Sequence, residues 1–471
     1  MRDVHAERLT VLDAAFLASE TPNHHMHVGG VFIFEGGDHT DFTFEAFQHL
    51  VRSRLHLVPR YRQKLAPAPL GLAQPSWIDD PNFDLAYHVR HAALPHPGGI
   101  DQLLDYAARV LSHQLDRSRP LWELYVVEGL EGGRFAMIGK NHHAIVDGLA
   151  SVDILNVLLD RDPTERALHP QPWDPRPAPS GMRRMQDVMG HALTRPGAVV
   201  AGARHVAQRP LEMAARAAGV GRGIAATVGS LVGRTPRSVL NQEPGIQRRM
   251  AMATLDLEAV KAVKDAFGTT VNDVVLAATG DMLGRYLRHR HQPTDGVVLR
   301  AMVPVSVAAT GEQATHVTSV FVDLPVGEMD SVARLRRVHG EMVAATAAHQ
   351  AVGADALVNL AGFAPATLHV LAARAATSQR LYNVLVTNVP GPQDAVHALG
   401  ARLVGACPFV PLAGMQALGV GFLSLEGVVH VGFTADWDAL PDLSIMPDLL
   451  GGAVDELVAS ARALHRVDTA A

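Results

Sequence analysis

Hydrophobic and polar positions along this chain switch repeatedly between two periods. Val28–Phe34, Leu124–Val127 and Phe135–Gly139 are short apolar runs with the length and residue types of strands. Phe44–Leu55, Ile100–Leu115 and Leu149–Leu159 repeat apolar residues every three or four positions, as helices with one buried face do. The alternation returns in the second half. Leu257–Phe267, Val271–His289, Met329–His349 and Pro441–His465 predict helices. Val297–Val303, Thr318–Pro325, Asn383–Thr387, Gly419–Ser424 and Val428–Ala435 predict strands. Interleaving of this kind predicts an α/β fold, an α+β sandwich in each half.

Two stretches separate the halves. Asp162–Pro177 (DPTERALHPQPWDPRP) is dense in proline and charge and predicts a loop or linker. From Met182 to about Gly233 the chain is rich in Ala, Gly, Val and Arg, with Pro196 and Pro210 as breaks. It predicts weakly amphipathic helices, which fit either a membrane surface or a bridge between domains. The division is therefore an N-terminal domain at 1–161, a linker and helical connection at 162–245, and a C-terminal domain at 246–471.

Composition narrows the function classes. With 48% hydrophobic and 19% charged residues in 471, the chain can fill a large core. A net charge of −6 makes the chain a poor candidate for a general nucleic-acid binder. Cys407 is the only cysteine, which rules out an intrachain disulfide, a Cys-based zinc site and a paired-thiol redox motif. A reducing, cytoplasmic setting fits this usage. The start Met1-Arg2-Asp3-Val4-His5 does not read as a signal peptide. The long uncharged runs are poor membrane spans. Leu403–Leu425 is broken by Pro408, Pro411 and several glycines and reads as strands and turns. Ala356–Ala373 contains Asn359, Pro365 and His369 and reads as a buried helical segment.

The most informative segment is a strand running into Asn141-His142-His143-Ala144-Ile145-Val146-Asp147-Gly148 and then an apolar helical pattern. Imidazole, with a pKa near 6.5, is the side chain best suited to take and return a proton at neutral pH. A nearby carboxylate can orient it, and glycine permits a close backbone approach. Spacing alone leaves other roles open: a buried polar pair for the histidines, a helix N-cap for Asp147, or a metal site, although zinc motifs carry more local ligands. His24-His25-Met26-His27 reads as an edge or loop cluster in preference to a metal site, since no distant ligand set supports it. Gly219–Gly223 lacks a preceding strand and the full dinucleotide fingerprint. No Gly-x-Ser-x-Gly elbow is present.

His142-His143-Ala144-Ile145-Val146-Asp147-Gly148 resembles the HHxxxDG signature of acyl-CoA-dependent acyltransferases. Leu115–Glu123, with its Pro120-Leu121-Trp122, resembles a block of the bacterial wax ester synthase/diacylglycerol acyltransferase family. So do Leu12–Leu17, Val271–Leu276 with Asn272-Asp273, Met302–Val307 and Thr387–Pro392, in the family's order across nearly the whole chain. The resemblance implies two chloramphenicol-acetyltransferase-like domains joined by a helical linker, with a tunnel-fed site between them. It implies His143 as general base, His142 as its support, Asp147 as a structural residue pairing with an unidentified arginine, and Gly148 at the turn. Asn272 would reach the reaction centre from the second domain, and Asp273, Pro120, Leu121 and Trp122 would shape the site. It implies long-chain acyl-CoA as co-substrate, no cofactor and no metal, with diacylglycerol as acceptor. A long-chain (fatty) alcohol, a carrier-dependent condensation or a non-catalytic lipid binder are the rival readings. Contact with a membrane or lipid droplet would be transient. One departure is Ser424-Leu425, where the family often carries Ser-Tyr, in a strand expected near the acyl channel.

Overall fold

In the computed structural model, residues 6–35, 42–67, 75–145, 157–163, 168–180, 182, 235–308, 315–352, 381–412 and 414–470 are described. Asp147, Gly148, most of the predicted helix Leu149–Leu159, Ala356–Ala373 and nearly all of Met182–Gly233 lie outside them.

Up to residue 142 the order is β1 (Glu7–Arg8), α1 (Val11–Ser19), β2 (His27–Phe34), α2 (Phe44–Arg54), β3 (Gln63–Ala66), β4 (Ser76–Asp79), α3 (Leu85–His88), β5 (Val89–Ala93), α4 (Ile100–Ser112), β6 (Trp122–Glu128) and β7 (Phe135–His142). The second half contains β8 (Arg248–Asp256), α5 (Leu257–Phe267), α6 (Val271–His289), β9 (Val298–Ala308), β10 (Thr315–Pro325) and α7 (Ser331–Val352). It continues with β11 (Val384–Pro390), β12 (His397–Ala398), β13 (Ala401–Phe409), β14 (Leu418–Leu425), β15 (Val428–Asp436) and α8 (Met446–Ala470).

The strands form two six-stranded sheets. The first has the order β12-β13-β2-β7-β6-β5 and the second β10-β9-β11-β14-β15-β8; β1, β4 and β3 make a small antiparallel sheet beside the first. One face of the first sheet packs Phe32, Phe34, Trp122 and Met137 against Phe47, Leu50 and Val51 of α2. Its other face packs Val31, Ile33, Ala136 and Ile138 against Leu103, Leu104, Ala107 and Leu111 of α4, with Met250 and Met252 of β8 alongside. The second core joins α5, α6 and α8 to the second sheet.

Most predicted elements form, with ends shifted by a few residues. The helix expected from Pro441 begins later, at Met446, after a 3-10 turn at Leu443–Ile445. The described part of the Asp162–Pro177 stretch has no regular structure but is strapped to the first domain. Trp173 donates through Nε1 to the Asp80 carbonyl, and the Arg176 guanidinium grips Asp79 at 2.9 and 3.1 Å.

Residues His397–Phe409, which the chain order places in the 246–471 block, hydrogen-bond into the first sheet. β13 runs antiparallel to β2, with Cys407 opposite Val31 and Phe409 opposite Gly29. Its other side lies against the second sheet so closely that a Cβ on Gly432 would stand 2.2 Å from the Pro408 carbonyl oxygen.

Candidate active site

The His142–His143 pair sits where β7 ends. β7 is buried along its whole length and held on both sides, by β2 and β6. The approach of β2 to β7 requires glycine at position 29: its φ is +151°, and a Cβ there would lie 2.0 Å from the Gly139 carbonyl oxygen. His142 donates its N–H to the Leu121 carbonyl at 2.9 Å, and His143 donates its N–H to the Met26 carbonyl at 2.7 Å. Residues His143–Ile145 then turn as a single 3-10 segment.

His142 is 1% exposed. Its Nδ1 accepts the Ala144 N–H at 2.9 Å, which leaves the ring proton on Nε2. Nε2 lies 3.2 Å from Oε1 of Glu20, the residue that closes α1. The contact is electrostatic and off the hydrogen-bond line. Glu20 also accepts the Met26 N–H at 3.1 Å, the Gln114 amide at 3.2 Å and the Arg117 guanidinium. Burial alone would raise the Glu20 pKa. His142 and then Arg117 more than reverse this and hold the carboxyl far below the usual carboxylate range.

The His143 ring lies against Phe16 of α1, tilted by 30° with centroids 4.0 Å apart. Burial pushes its pKa below 6.5, and the neighbouring His142 adds to that, while its own backbone carbonyl opposes it. The ring is therefore neutral at pH 7, as a base must be before it takes a proton.

Pro120, Leu121 and Trp122 are all buried. Trp122 donates through Nε1 to the Tyr61 carbonyl at 2.7 Å, and His88 stacks on it at 4.6 Å. The stretch meets the histidines through the Leu121 carbonyl. Leu12–Leu17, Leu115–Glu123 and the histidine turn, distant in sequence, thus converge on Glu20. That residue was missed. The signal available for it was an acidic residue closing the mostly apolar Val11–Ser19 stretch.

Asn272 and Asp273 open α6. Gly268 closes α5 with φ 65°, and Thr270 caps α6 in a capping box whose N3 residue is Asp273. Asp273, 2% exposed, also meets His339 Nδ1 at 2.8 Å. The Asn272 amide faces Met342 Sδ at 3.9 Å. Among the described residues, no hydrogen bond joins Asn272 to His142 or His143. Leu425, at the departure from the family pattern, is 2% exposed and packs in the α2-side core of the first sheet. His24, His25 and His27 are buried: His24 and His25 lie in the loop before β2, and His27 is the first residue of that inner strand. Among the described residues, no group of three or more His, Cys, Asp or Glu side chains is placed to hold a metal ion.

Comparison with known proteins bears on the same segments. Residues 9–275 match the wax ester synthase/diacylglycerol acyltransferase catalytic domain, and residues 314–457 match the WS/DGAT C-terminal domain. A protein of Mycobacterium tuberculosis strain H37Rv, named a probable diacylglycerol O-acyltransferase (tgs1), is 32% identical over 460 residues, 96% of each chain. The solved wax ester synthase/diacylglycerol acyltransferase from Marinobacter aquaeolei VT8 is 28% identical with a TM-score of 0.68, covering 96% of this chain and 99% of that one. The first condensation domain of the calcium-dependent antibiotic synthetase shares the fold, with a TM-score of 0.56 at 16% identity over 97% of both chains.

Proposed function

The chain belongs to the wax ester synthase/diacylglycerol acyltransferase family and is an acyltransferase; on that premise we propose that it transfers a long-chain acyl group from acyl-CoA to diacylglycerol, forming triacylglycerol. The observation that carries the assignment of the base is the neutral, partly buried His143, its backbone held by the Met26 carbonyl and its ring against Phe16.

His143 takes the proton of the acceptor hydroxyl as its oxygen attacks the thioester carbonyl carbon. The tetrahedral intermediate collapses, the C–S bond breaks, and the ester forms. CoA thiolate leaves and regains the proton from His143. Proton donor and acceptor balance within one turnover, so no covalent acyl-enzyme and no cofactor are required. His142 acts through its backbone and its contact with Glu20, which fix the turn carrying His143. Asp147 and Gly148 complete the motif in sequence. Asn272 serves from the second domain by orienting substrate.

The substrates are lipids, and among the described residues no helix is long and apolar enough to cross a membrane. Transient contact with a membrane or lipid-droplet surface, from the cytoplasm, supplies them.

The test is thiol release from palmitoyl-CoA with dioleoylglycerol, with hexadecanol or with no acceptor. Release should depend on acceptor and be fastest with dioleoylglycerol. General-base catalysis contributes about 10²–10⁴-fold, so His143→Ala should lose turnover by that factor while unfolding at the wild-type temperature. Wild-type turnover from folded His143→Ala would refute the role of the base. Preference for hexadecanol would make wax ester the main product, and turnover only with a carrier-bound donor would make the chain a condensation-type enzyme.

A further inference from the structure

His143 lacks the side-chain partner that orients the imidazole in a Ser-His-Asp triad. Its Nδ1 is buried and meets the carbonyl of its own residue off the hydrogen-bond line, and no side chain among the described residues bonds to it. The torsion that turns an imidazole about its Cβ–Cγ bond has broad wells, so the side chain does not set its own ring plane. A general base works only when its nitrogen points at the proton it takes. Another contact must therefore hold the ring.

Phe16 is placed to do so. α1 starts in the Thr10 capping box and brings two side chains, four positions apart, to the same side of the histidine turn. Glu20, which closes the helix, meets His142 at 3.2 Å. Phe16 meets His143 with ring centroids 4.0 Å apart and planes tilted by 30°. Among the described residues His143 is the aromatic neighbour of Phe16, and Phe16 joins none of the three hydrophobic cores. Its ring is half-buried, whereas the next residue, Leu17, is buried in the α2-side core of the first sheet. Packing within a core thus accounts for Leu17 and leaves Phe16 over.

We propose that Phe16 is a positioning residue for the acyl transfer: its ring fixes the plane of the His143 imidazole and keeps water off that side of it. The proposal rests on the reading of His143 as the base. A carboxylate at Nδ1 would orient the ring but also favour imidazolium. A phenyl ring orients it without charge, so the base stays neutral where it must take a proton. The elements packed around the ring carry Asp13 and Glu20 on α1, His24 and His25 before β2, and His142 on β7. Asp13 belongs to the capping box, and Glu20 is engaged by His142 and Arg117. Of these groups, His142 bears on the charge of the ring.

The test is steady-state kinetics of three variants with palmitoyl-CoA and dioleoylglycerol, each shown to be folded by circular dichroism. Phe16→Ala removes the support and admits water. Its kcat should fall on the order of 10- to 100-fold, the cost of a misplaced reacting group, with KM for both substrates little changed. The acid limb of its kcat/KM profile should move up towards pH 6.5 as the ring regains water. Phe16→Leu keeps apolar cover without a flat face, so kcat should fall while the acid limb stays in place. Phe16→Tyr keeps the ring and should retain most of the turnover. Wild-type kcat with an unmoved acid limb in Phe16→Ala would overturn the proposal. So would a loss confined to KM, which would make Phe16 a substrate contact only. If Phe16→Ala does not fold, equal turnover of the Leu and Tyr variants would overturn it instead. A second readout needs no turnover. An NMR titration of the His143 ring, assigned with His143→Ala, should have a higher midpoint in Phe16→Ala than in the wild type, and an unchanged midpoint would overturn the shielding. A wild-type enzyme silent with every acceptor would refute the acyltransferase reading, and the ring titration would still decide whether Phe16 keeps water off His143.

Discussion

At His143 the controlling quantity is the charge on one ring. Burial disfavours imidazolium and lowers its pKa, so protonation disables the base only below the usual histidine range. The acid limb of kcat/KM should therefore have its midpoint under pH 6.5, with a flat profile at pH 7 and above. A midpoint above 6.5 would contradict a desolvated base. Glu20 is the opposite case. Its folded pKa lies below its unfolded value, so the stability it contributes is present above the unfolded value and is lost as pH falls through the folded one. Replacing it with Gln leaves the buried His142 and the exposed Arg117 without their counter-charge, and Glu20→Gln should cost about 2 kcal/mol in urea unfolding. The two histidines were legible because the motif is contiguous. Glu20 was not, because its partners Arg117 and His142 are 97 and 122 residues away along the chain.

Among the elements, those with strong local rules were readable in the sequence. The α5–α6 turn follows from Gly268 as a left-handed cap and Thr270 with Asp273 as a capping box, and both helices begin and end where the periodicity places them. Asp273→Ala removes the box and the His339 contact, and should lower stability by about 2 kcal/mol without moving the far sheet. Fluorescence-detected denaturation would measure it. β8 was not anticipated. Its sequence RRMAMATLD has no clean alternation, since it lies between α4 and the α5-side core and is only partly buried. The Pro120-Leu121-Trp122 block was attributed to site shape. Its physical content is narrower: an indole that anchors on Tyr61 and a carbonyl that receives the His142 N–H.

For the whole molecule, the decisive feature is the crossing of β13 from the second half into the first sheet. Gly419, Gly421 and Gly432 face Val410 and Pro408 so closely that a Cβ would stand 2.5, 3.0 and 2.2 Å from them. Gly432→Val should drive the second sheet off Pro408 and cost about 3 kcal/mol as an overpacked contact, which thermal unfolding would detect. Gly419 and Gly421, read in sequence only as breaks in the apolar run Leu403–Leu425, are there for that close approach. The sequence by itself determined the two α/β halves, most of their helices and strands, the adjacent histidines and the family, because period, caps and contiguous motifs are local properties of the chain. Only the tertiary structure decided that residues 397–409 complete the first sheet, that Glu20 joins three distant segments, and that His25 and His27 are buried together. Those are contacts between residues far apart in the chain, and no local pattern encodes them.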